Sequence, residues 1–502
     1  MTDESNGAPD GSLGYDELPY PSAPYPYSHC DHLAMVARLF GIAAADARRC
    51  RVLEVGCADG ANLIPMALVL PDSRFVGIDL SERQIGTGRE VIARLGLPNV
   101  ELHRRDLSDF GADETFDYII AHGVFSWTTR DVQTRLLDLC RRRLAPQGVA
   151  FISYNVYPGW QRQKAIREWL LESTRGVDGA AAKLHASRRL MARLRGLLGE
   201  RENEFSDVAA LLERLEAWND GYLRHDLLED SNEPQYFTEF VERLAEHGLK
   251  FFAEADVASM AGADLPAGLA DRAARLGASL VAREQLYDLL ANRAFRQSLV
   301  CREECPTLER LDPAAIESAY VVSTLKRRPM RENDVAPSDI CRFASRGTFA
   351  VDVDDPRVAA ALDRLAQAWP GGAWFADLIS GMDVEPNVLA PSRQTLARVL
   401  LAGFVERAVE LHSIAPAAAS RISPRPEASP LARLQAEAGP LVTNLRHDVV
   451  RLDDPARQMI AFVDGTNDRA ALEQRKRQLS PADAMSMDTL LAYYLRAGLL
   501  WS

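Results

Sequence analysis

The sequence predicts an α/β protein that begins with a doubly wound, mainly parallel sheet and continues into helical and mixed regions. Between residues 32 and 160, short apolar runs alternate with helical patterns, which is typical of βαβ units. The stretch RCRVLEVGCADGANLIPMALVLPDSRFVGIDLS, residues 49–81, places glycines after the first apolar run and Asp79 at the tip of the second. This order of strand, glycine turn, helix and strand indicates a nucleotide-binding unit.

The elements of this unit follow from apolar periodicity and from the residues that bound each run. We predict a helix near 32–40, strand 51–55, helix 61–70, strand 74–78, helix 82–95, strand 100–104, strand 116–120, helix 131–144 and strand 148–153. From residue 161 to about 300 the pattern is helical. One helix is especially clear, since Pro234 suits its first turn and Gly248 its stop.

The chain divides into five predicted parts. These are a ligand-binding domain with an N-terminal lid segment (1–175), a helical regulatory or dimerisation region (176–305), a mixed α/β domain (306–412), an Ala/Ser/Pro-rich linker (413–430) and a small winged-helix-like domain (431–502). The last part carries nine Lys and Arg against nine Asp and Glu, so it lacks the basic face that DNA binding needs. A protein-binding or dimerising role fits it better.

Composition limits the class of protein and its partners. The 502 residues are 47% hydrophobic and carry a net charge of −13, which disfavours binding to nucleic acid or to anionic membranes. No apolar run approaches the ~18 residues of a membrane span, and the start of the chain lacks a signal-peptide pattern. The seven cysteines are scattered without the spacing of a metal site. We therefore expect a cytoplasmic protein with reduced thiols and no metal.

The loop after the first strand has the spacing E-x-G-x-x-x-G, from Glu54 to Gly60, and no P-loop lysine follows it. This spacing fits a nucleoside without a phosphate. Asp79 is placed to accept hydrogen bonds from ribose hydroxyls, and Asp106, just past the third strand, from an adenine amino group. The other interpretation is that Asp79 caps the next helix and Asp106 is a turn residue. Three such features in this order favour the ligand site.

These motifs resemble known proteins. VLEVGCADG, GIDLS and the aspartate after the third strand resemble the signature of class I S-adenosylmethionine-dependent methyltransferases. Further segments resemble a bacterial group of methyltransferases with a methyltransferase regulatory domain, which includes the rickettsial protein lysine methyltransferases; these segments are PYPSAPYPYSHCDHLAMVARLFG, AHGVFSWTT, SYNVYPGW, YLRHDLLEDSNEPQYFTEFVERLAEHGLKFFAEAD, NRAFRQSLVC and VTNLRHD. The resemblance implies a Rossmann-like domain, S-adenosyl-L-methionine as cofactor, and a protein side chain such as lysine as acceptor.

The chain departs from the family pattern in two places. The first loop has Ala58 and Asp59 where another glycine is often found, so any contact there is made by the backbone or by a local carboxylate. The segment PYPYSHCD carries Tyr25, Ser28 and Cys30 in place of the more usual phenylalanine, threonine and proline. These changes leave cofactor binding intact and bear on the N-terminal lid segment and the acceptor.

Three sets of candidate site residues follow from the pattern and the resemblance. The cofactor-binding candidates are Glu54, Gly56, Cys57, Ala58, Gly60, Asn62, Asp79, Leu80, Gln84, Asp106, Leu107, His122, Gly123 and Trp127. The substrate-binding candidates are Tyr20, Tyr25, Phe125, Trp127, Tyr154, Tyr157 and Trp160. The catalytic candidates are His122, Tyr154 and Asn155. Aromatic faces stabilise a cationic sulfonium, although the same aromatics also suit an apolar core.

The acceptor determines which chemistry these residues must perform. A lysine must be neutral when it attacks, and a desolvating aromatic channel would lower its pKa from ~10.4 without a dedicated base. A hydroxyl or carboxylate acceptor makes His122 the first candidate base, unless its ring only bonds a neighbouring loop. Two other functions stay open, a methyltransferase for a small molecule or ribosomal peptide and a non-enzymatic cofactor-binding regulator. The broad apolar stripes of the helical region need a partner surface, which the sheet of the same chain or a second copy in a two-fold dimer could supply, and we expect a homodimer.

Overall fold

A seven-stranded sheet is the centre of the fold. The computed structural model describes residues 22–107, 114–198, 206–229, 231–266, 268–277, 279–328, 340–382, 386–479 and 485–501. The strands of the sheet are β1 (Arg51–Val55), β2 (Arg74–Asp79), β3 (Val100–Arg104), β4 (Phe116–Ala121), β5 (Leu144–Asn155), β6 (Leu249–Glu254) and β7 (Phe295–Arg302). They are ordered β3-β2-β1-β4-β5-β7-β6, and β7 runs opposite to the other six strands of this sheet. The predicted α/β class with its doubly wound sheet is confirmed.

The last two strands come from the part of the chain that we expected to be helical. β7 pairs with β5 from Ala150 opposite Val300 to Asn155 opposite Phe295, and β6 then pairs with β7. This pairing covers the edge of β5, which would otherwise present unpaired backbone groups. The sheet therefore continues past the predicted boundary at residue 175, and the region 176–305 completes it.

Helices pack on both faces of the sheet. The helices up to residue 302 are α1 (Cys30–Leu39), α2 (Leu63–Val69), α3 (Glu82–Leu95), α4 (Arg130–Arg143), α5 (Trp160–Ser173), α6 (Ala180–Leu198), α7 (Ser206–Glu216), α8 (Asp220–Leu227), α9 (Phe237–Glu246), α10 (Val257–Met260), α11 (Leu269–Ala274) and α12 (Leu280–Ala291). Successive strand residues point to opposite faces, so Val52 packs with α1 to α3 while Leu53 packs with α4 and α9. The first nine predicted elements agree with the structure within a few residues.

The third part of the chain is a mixed α/β unit, as predicted. Its strands are β8 (Tyr320–Ser323), β9 (Lys326–Arg328), β10 (Cys341–Ala344), β11 (Ala350–Val353), β12 (Ala373–Trp374) and β13 (Val409–His412). Its helices are α13 (Pro356–Ala368), α14 (Phe375–Ser380) and α15 (Pro386–Val405). The strands form two three-stranded sheets. Asp31 of α1 accepts a 2.8 Å hydrogen bond from Nδ1 of His412, which joins this unit to the first domain.

The C-terminal unit has its own apolar core. It contains α16 (Pro430–Ala438), a hairpin of β14 (Leu441–Thr443) and β15 (Val449–Arg451), then α17 (Asp454–Ile460), α18 (Arg469–Leu479) and α19 (Met487–Arg496). Part of the predicted linker 413–430 belongs to it, because Ala418 bridges to Trp501 and Ala428 to Leu500. None of the helices in the described ranges combines the length and apolarity needed to cross a membrane. All seven cysteines are free thiols.

Candidate active site

The glycine loop between β1 and α2 is turned by residues in the left-handed region. Gly56 and Gly60 have φ of +71° and +76°. A Cβ on Gly56 would lie 2.5 Å from Cγ2 of Val124, so a side chain does not fit there. Ala58 also has a positive φ of +51°, at the position where a third glycine was expected. The loop therefore adopts the predicted backbone turn although one glycine is replaced.

Asp79 lies at the end of β2 and holds this loop. Its Oδ2 accepts a 2.9 Å hydrogen bond from the amide of Ala58, and its Oδ1 accepts one of the same length from the amide of Ser81. The side chain of Ser81 caps α3 by accepting from the amide of Gln84. The carboxylate thus joins the glycine loop to the end of the strand, while Ser81 performs the helix capping.

Asn62 connects the loop to the buried carboxyl group of Glu54. Its Nδ2 donates to Oε1 of Glu54 at 2.8 Å, and its Oδ1 accepts from the amide of Tyr25 at 2.9 Å. Glu54 is 3% exposed, and burial raises its pKa to about 8. Its Oε2 is buried without a hydrogen-bond partner. A buried unpaired carboxyl oxygen is costly, so this atom points to a missing cationic or hydrogen-bonding ligand.

His122 follows β4 and stacks on the N-terminal segment. Its ring centroid lies 3.6 Å from that of Tyr25 and 6.1 Å from that of Phe295 on β7. Burial lowers the pKa of His122 to about 4, and its Nδ1 is buried without a partner. The structure therefore brings together His122 and Tyr25, a catalytic and a substrate-binding candidate, with a neutral imidazole between aromatic rings.

The remaining cofactor candidates lie around the same strand ends. Gly123 donates its amide to Oγ of Ser153 on β5 at 2.8 Å. Leu80 is 50% exposed, and Leu107 packs partly buried against the core. Asp106 is exposed just after β3. Cys57 lies on the glycine loop beside Gly77, and Gln84 lies in the first turn of α3.

Two of the predicted residues face the core instead. Tyr154 is 1% exposed, stacks on Phe240 of α9 with ring centroids 4.2 Å apart, and contacts Oγ of Ser298 at 3.2 Å. Phe125 is also buried among these aromatics, with its ring at right angles to Phe240. Because neighbouring residues of β5 point to opposite faces, Tyr154 and Asn155 cannot both face the same side. We assign no catalytic or substrate role to Tyr154 or Phe125.

Asn155 is the last residue of β5, and Trp127, Tyr157 and Trp160 lie beyond the ends of β4 and β5. The rings of Trp127 and Trp160 meet edge to face at 6.1 Å. Nδ2 of Asn155 and Nε1 of Trp160 are buried without partners. Tyr157 accepts a hydrogen bond from Nζ of Lys164 at 3.2 Å. Tyr20, another substrate-binding candidate, lies outside the described residues.

Sequence reasoning missed three polar residues near this end of the sheet. Tyr222 and Asp226 are four residues apart on α8, so they share a face, and both raise the pKa of Tyr25 electrostatically after the larger effect of its burial. Burial raises the pKa of Asp226 to about 7. Asn232 is 7% exposed, and both polar atoms of its amide are unpartnered. The only available signal was their position within the segment YLRHDLLEDSNEPQY.

Comparisons with known proteins agree with this arrangement. A family model described as "Methyltransferase domain" matches residues 53–150, one described as "Predicted methyltransferase regulatory domain" matches 219–302, and one described as "PKMT, C-terminal winged helix domain" matches 424–488. RP789 of Rickettsia prowazekii is 28% identical over 477 residues, which are 91% of this chain and 84% of that protein. RP028 of the same organism is 34% identical over 238 residues, which are 46% of this chain and 93% of that protein.

The chain belongs to the S-adenosylmethionine-dependent methyltransferases that carry this regulatory domain. The structure of PKMT2 from Rickettsia typhi in complex with AdoHcy superposes with a TM-score of 0.81 and covers 96% of this chain and 100% of that one at 23% identity. This likeness shows a shared fold over nearly the whole length. The predicted family, enzyme class and cofactor are confirmed, and so is the winged-helix character of the C-terminal domain.

The residues of this site fit S-adenosylmethionine. Gly56 gives the loop a conformation that a side chain could not share with Val124, and Oε2 of Glu54 and Nδ1 of His122 are buried polar atoms without partners. The glycine loop together with Glu54, Asp79 and His122 would hold the cofactor. When bound, the cofactor supplies an electrophilic methyl group on a sulfonium. The chain has to align the acceptor with that group and exclude water.

Proposed function

We propose that this methyltransferase modifies a protein side chain and that the acceptor is the ε-amino group of lysine. The observation that carries this proposal is an acidic cluster, Glu54, Asp59 and Asp226, gathered around Tyr25. No lysine or arginine within the described ranges forms a salt bridge with these three carboxyl groups. A cationic amine suits such surroundings, whereas a carboxylate or phosphate acceptor would be repelled.

The same cluster provides the chain's part in the reaction. Burial raises the pKa of Asp226 to about 7, so near neutral pH its carboxyl group can accept a proton from an incoming ammonium. The rings of Tyr25 and His122 desolvate the amine and so favour its neutral form. His122 is neutral because burial lowers its pKa to about 4. When lysine is the acceptor, His122 therefore positions the amine and Asp226 accepts the proton.

Two asparagines support a defined place for the acceptor. The backbone amide of Asn155 donates to Oγ of Ser126 at 2.8 Å, and the backbone amide of Glu233 donates to the carbonyl oxygen of Ser126 at 2.7 Å. Asn155 and Asn232 therefore both lie near Ser126, and the side-chain amide of each has buried atoms without partners. Such groups are satisfied when a peptide backbone or an amine enters beside them.

Mass spectrometry tests the acceptor directly. Extract of the source cells is incubated with the full-length protein and methyl-labelled S-adenosylmethionine, and the label is then located. Label on lysine side chains of protein is the expected result, whereas label confined to small molecules would overturn the proposal. Asp226→Asn should lower the rate of labelling at saturating cofactor without changing cofactor affinity. The matched control is Asp220→Asn on the same helix, whose ion pair with Arg188 is exposed.

Three further properties belong to this proposal. We propose a homodimer, supported by large apolar side chains left exposed on the helical region, such as Leu197 and Leu289. Sedimentation of the full chain measures it, and a monomer at micromolar concentration would exclude it. We also propose a cytoplasmic location and no nucleic-acid partner, the latter supported by the net charge of −13.

A further inference from the structure

A histidine of the C-terminal domain reaches into the glycine loop of the methyltransferase domain. His447 lies in the turn between β14 and β15 and contacts Oδ1 of Asn62 through Nε2 at 2.8 Å. These residues are 385 positions apart in the chain. Asn62 is the residue that holds the carboxyl group of Glu54 through its Nδ2. The contact therefore links the most distant domain to the buried carboxyl of the cofactor site.

The protonation of this contact follows from its neighbours. Oδ1 of Asn62 is an acceptor, because the backbone amide of Tyr25 donates to it, so Nε2 of His447 carries the proton. Burial lowers the pKa of His447 well below its usual value and that of His29, whose ring meets it edge to face at 4.9 Å, to about 4. Both rings are therefore neutral, and His447 donates a single hydrogen bond.

The turn is built to present this ring. Oδ1 of Asn444 accepts from the amides of Arg446 and Asp448 at 2.9 and 2.8 Å, which closes the turn. His447 itself has a φ of +64°, a strained value for a residue with a side chain. Nη2 of Arg446 donates to the carbonyl oxygen of Pro370 in the middle domain at 2.6 Å. The strained backbone of His447 is thus held by the hydrogen bonds of Asn444 within the turn and by the contact of Arg446 with the middle domain.

We propose that His447 is a positioning residue of the cofactor site, so that docking of the C-terminal domain and binding of S-adenosylmethionine are coupled. By donating to Oδ1, His447 acts together with the amide of Tyr25 and the hydroxyl group of Ser28 to hold the side-chain amide of Asn62 in the orientation that contacts Oε1 of Glu54. The free Oε2 of Glu54 is thereby kept in one place. Because coupling between two events is reciprocal, cofactor binding must also tighten the hairpin. The inference rests on the cofactor site alone and is independent of the acceptor.

Calorimetric binding of S-adenosylhomocysteine to the full-length protein tests the coupling. His447→Phe keeps a ring but removes the donor and should weaken binding about tenfold. His447→Gln keeps a donor at similar reach and should recover most of that loss. Val449→Ala changes an exposed residue of the same hairpin and should bind as the unchanged protein does. Equal affinity of the His447→Phe and unchanged proteins, or failure of glutamine to improve on phenylalanine, would overturn the proposal.

Two further measurements separate positioning from a general structural role. In an Asn62→Ala background, His447→Phe should weaken binding no further, whereas additive losses would show that His447 acts elsewhere. In the unchanged protein, S-adenosylhomocysteine should slow hydrogen exchange of the hairpin amides of residues 441–451. Unaltered exchange there would contradict the coupling, even if the His447 variants failed to fold.

Discussion

The amide of Ala58 donates a 2.9 Å hydrogen bond to Oδ2 of Asp79, which joins the glycine loop to the end of β2. One carboxylate therefore shapes the loop, and we propose that it also accepts hydrogen bonds from the ribose of the cofactor. Its removal changes the site in two ways, by loosening the loop and by deleting an acceptor.

Asp79→Ala should weaken S-adenosylmethionine binding by about 1–3 kcal/mol, because charge-assisted hydrogen bonds are lost. Asp79→Asn retains one acceptor oxygen and should lose less. Calorimetry measures both, with Asp72→Ala in the exposed turn before β2 as the control. Unchanged affinity in folded Asp79→Ala would remove this residue from the site.

Gly56→Val should abolish cofactor binding. The residue has a φ of +71°, and its Cβ would lie 2.5 Å from Cγ2 of Val124, so the loop must move. Gly86→Ala on α3 is the matched control, since its Cβ meets nothing within 4 Å; alanine should stabilise that helix by about 0.5–1 kcal/mol. Tight binding by Gly56→Val, measured by calorimetry, would show that the loop does not need glycine there.

Cofactor affinity should rise with pH up to about 8. Burial raises the pKa of Glu54 to about 8, so without ligand its carboxyl group is mostly protonated at pH 7. A cationic ligand favours the ionised carboxylate. Binding then releases a proton, and affinity rises by up to about tenfold per pH unit below that pKa. Calorimetry in buffers of different ionisation enthalpy counts the proton. Glu54→Gln should bind without this release, and a pH profile identical to that of the unchanged protein would assign the proton to another group.

The same shift affects stability with a definite sign. The pKa of Glu54 rises from 4.5 to about 8 in the native state, so the folded protein binds more protons than the unfolded chain between these values. The free energy of unfolding should therefore fall as pH rises through this window, and part of that slope should vanish in Glu54→Gln. Denaturant titrations at several pH values give the slope, and equal slopes in both proteins would contradict the assignment.

Tyr154→Phe should cost stability without affecting the site. The hydroxyl group contacts Oγ of Ser298 at 3.2 Å inside the core, so its loss should lower the free energy of unfolding by about 1 kcal/mol. Cofactor affinity and labelling rate should be unchanged. Asn155→Ala is the contrasting variant and should lower the labelling rate. A slower labelling rate in folded Tyr154→Phe would show that Tyr154 takes part in the reaction.

The bounds of the first five strands and the position of the glycine loop could be predicted because their signals are local. An apolar run, a glycine with positive φ and an acidic residue at a strand end are all read within a few residues, as from Val52 to Asp79. The strands β6 and β7 escaped prediction because each directly follows helical sequence. Only pairing with β5 makes them strands.

The sequence by itself determined the first five strands of the sheet, the glycine loop and the type of cofactor, because these depend on contacts between near neighbours in the chain. The tertiary structure alone decided that Tyr154 faces the core, that Asp226 approaches Tyr25, and that His447 reaches Asn62. Packing between elements up to 385 residues apart decides which face a strand residue occupies. It also decides which distant carboxyl or imidazole group contacts the glycine loop. No periodicity within one segment carries that information.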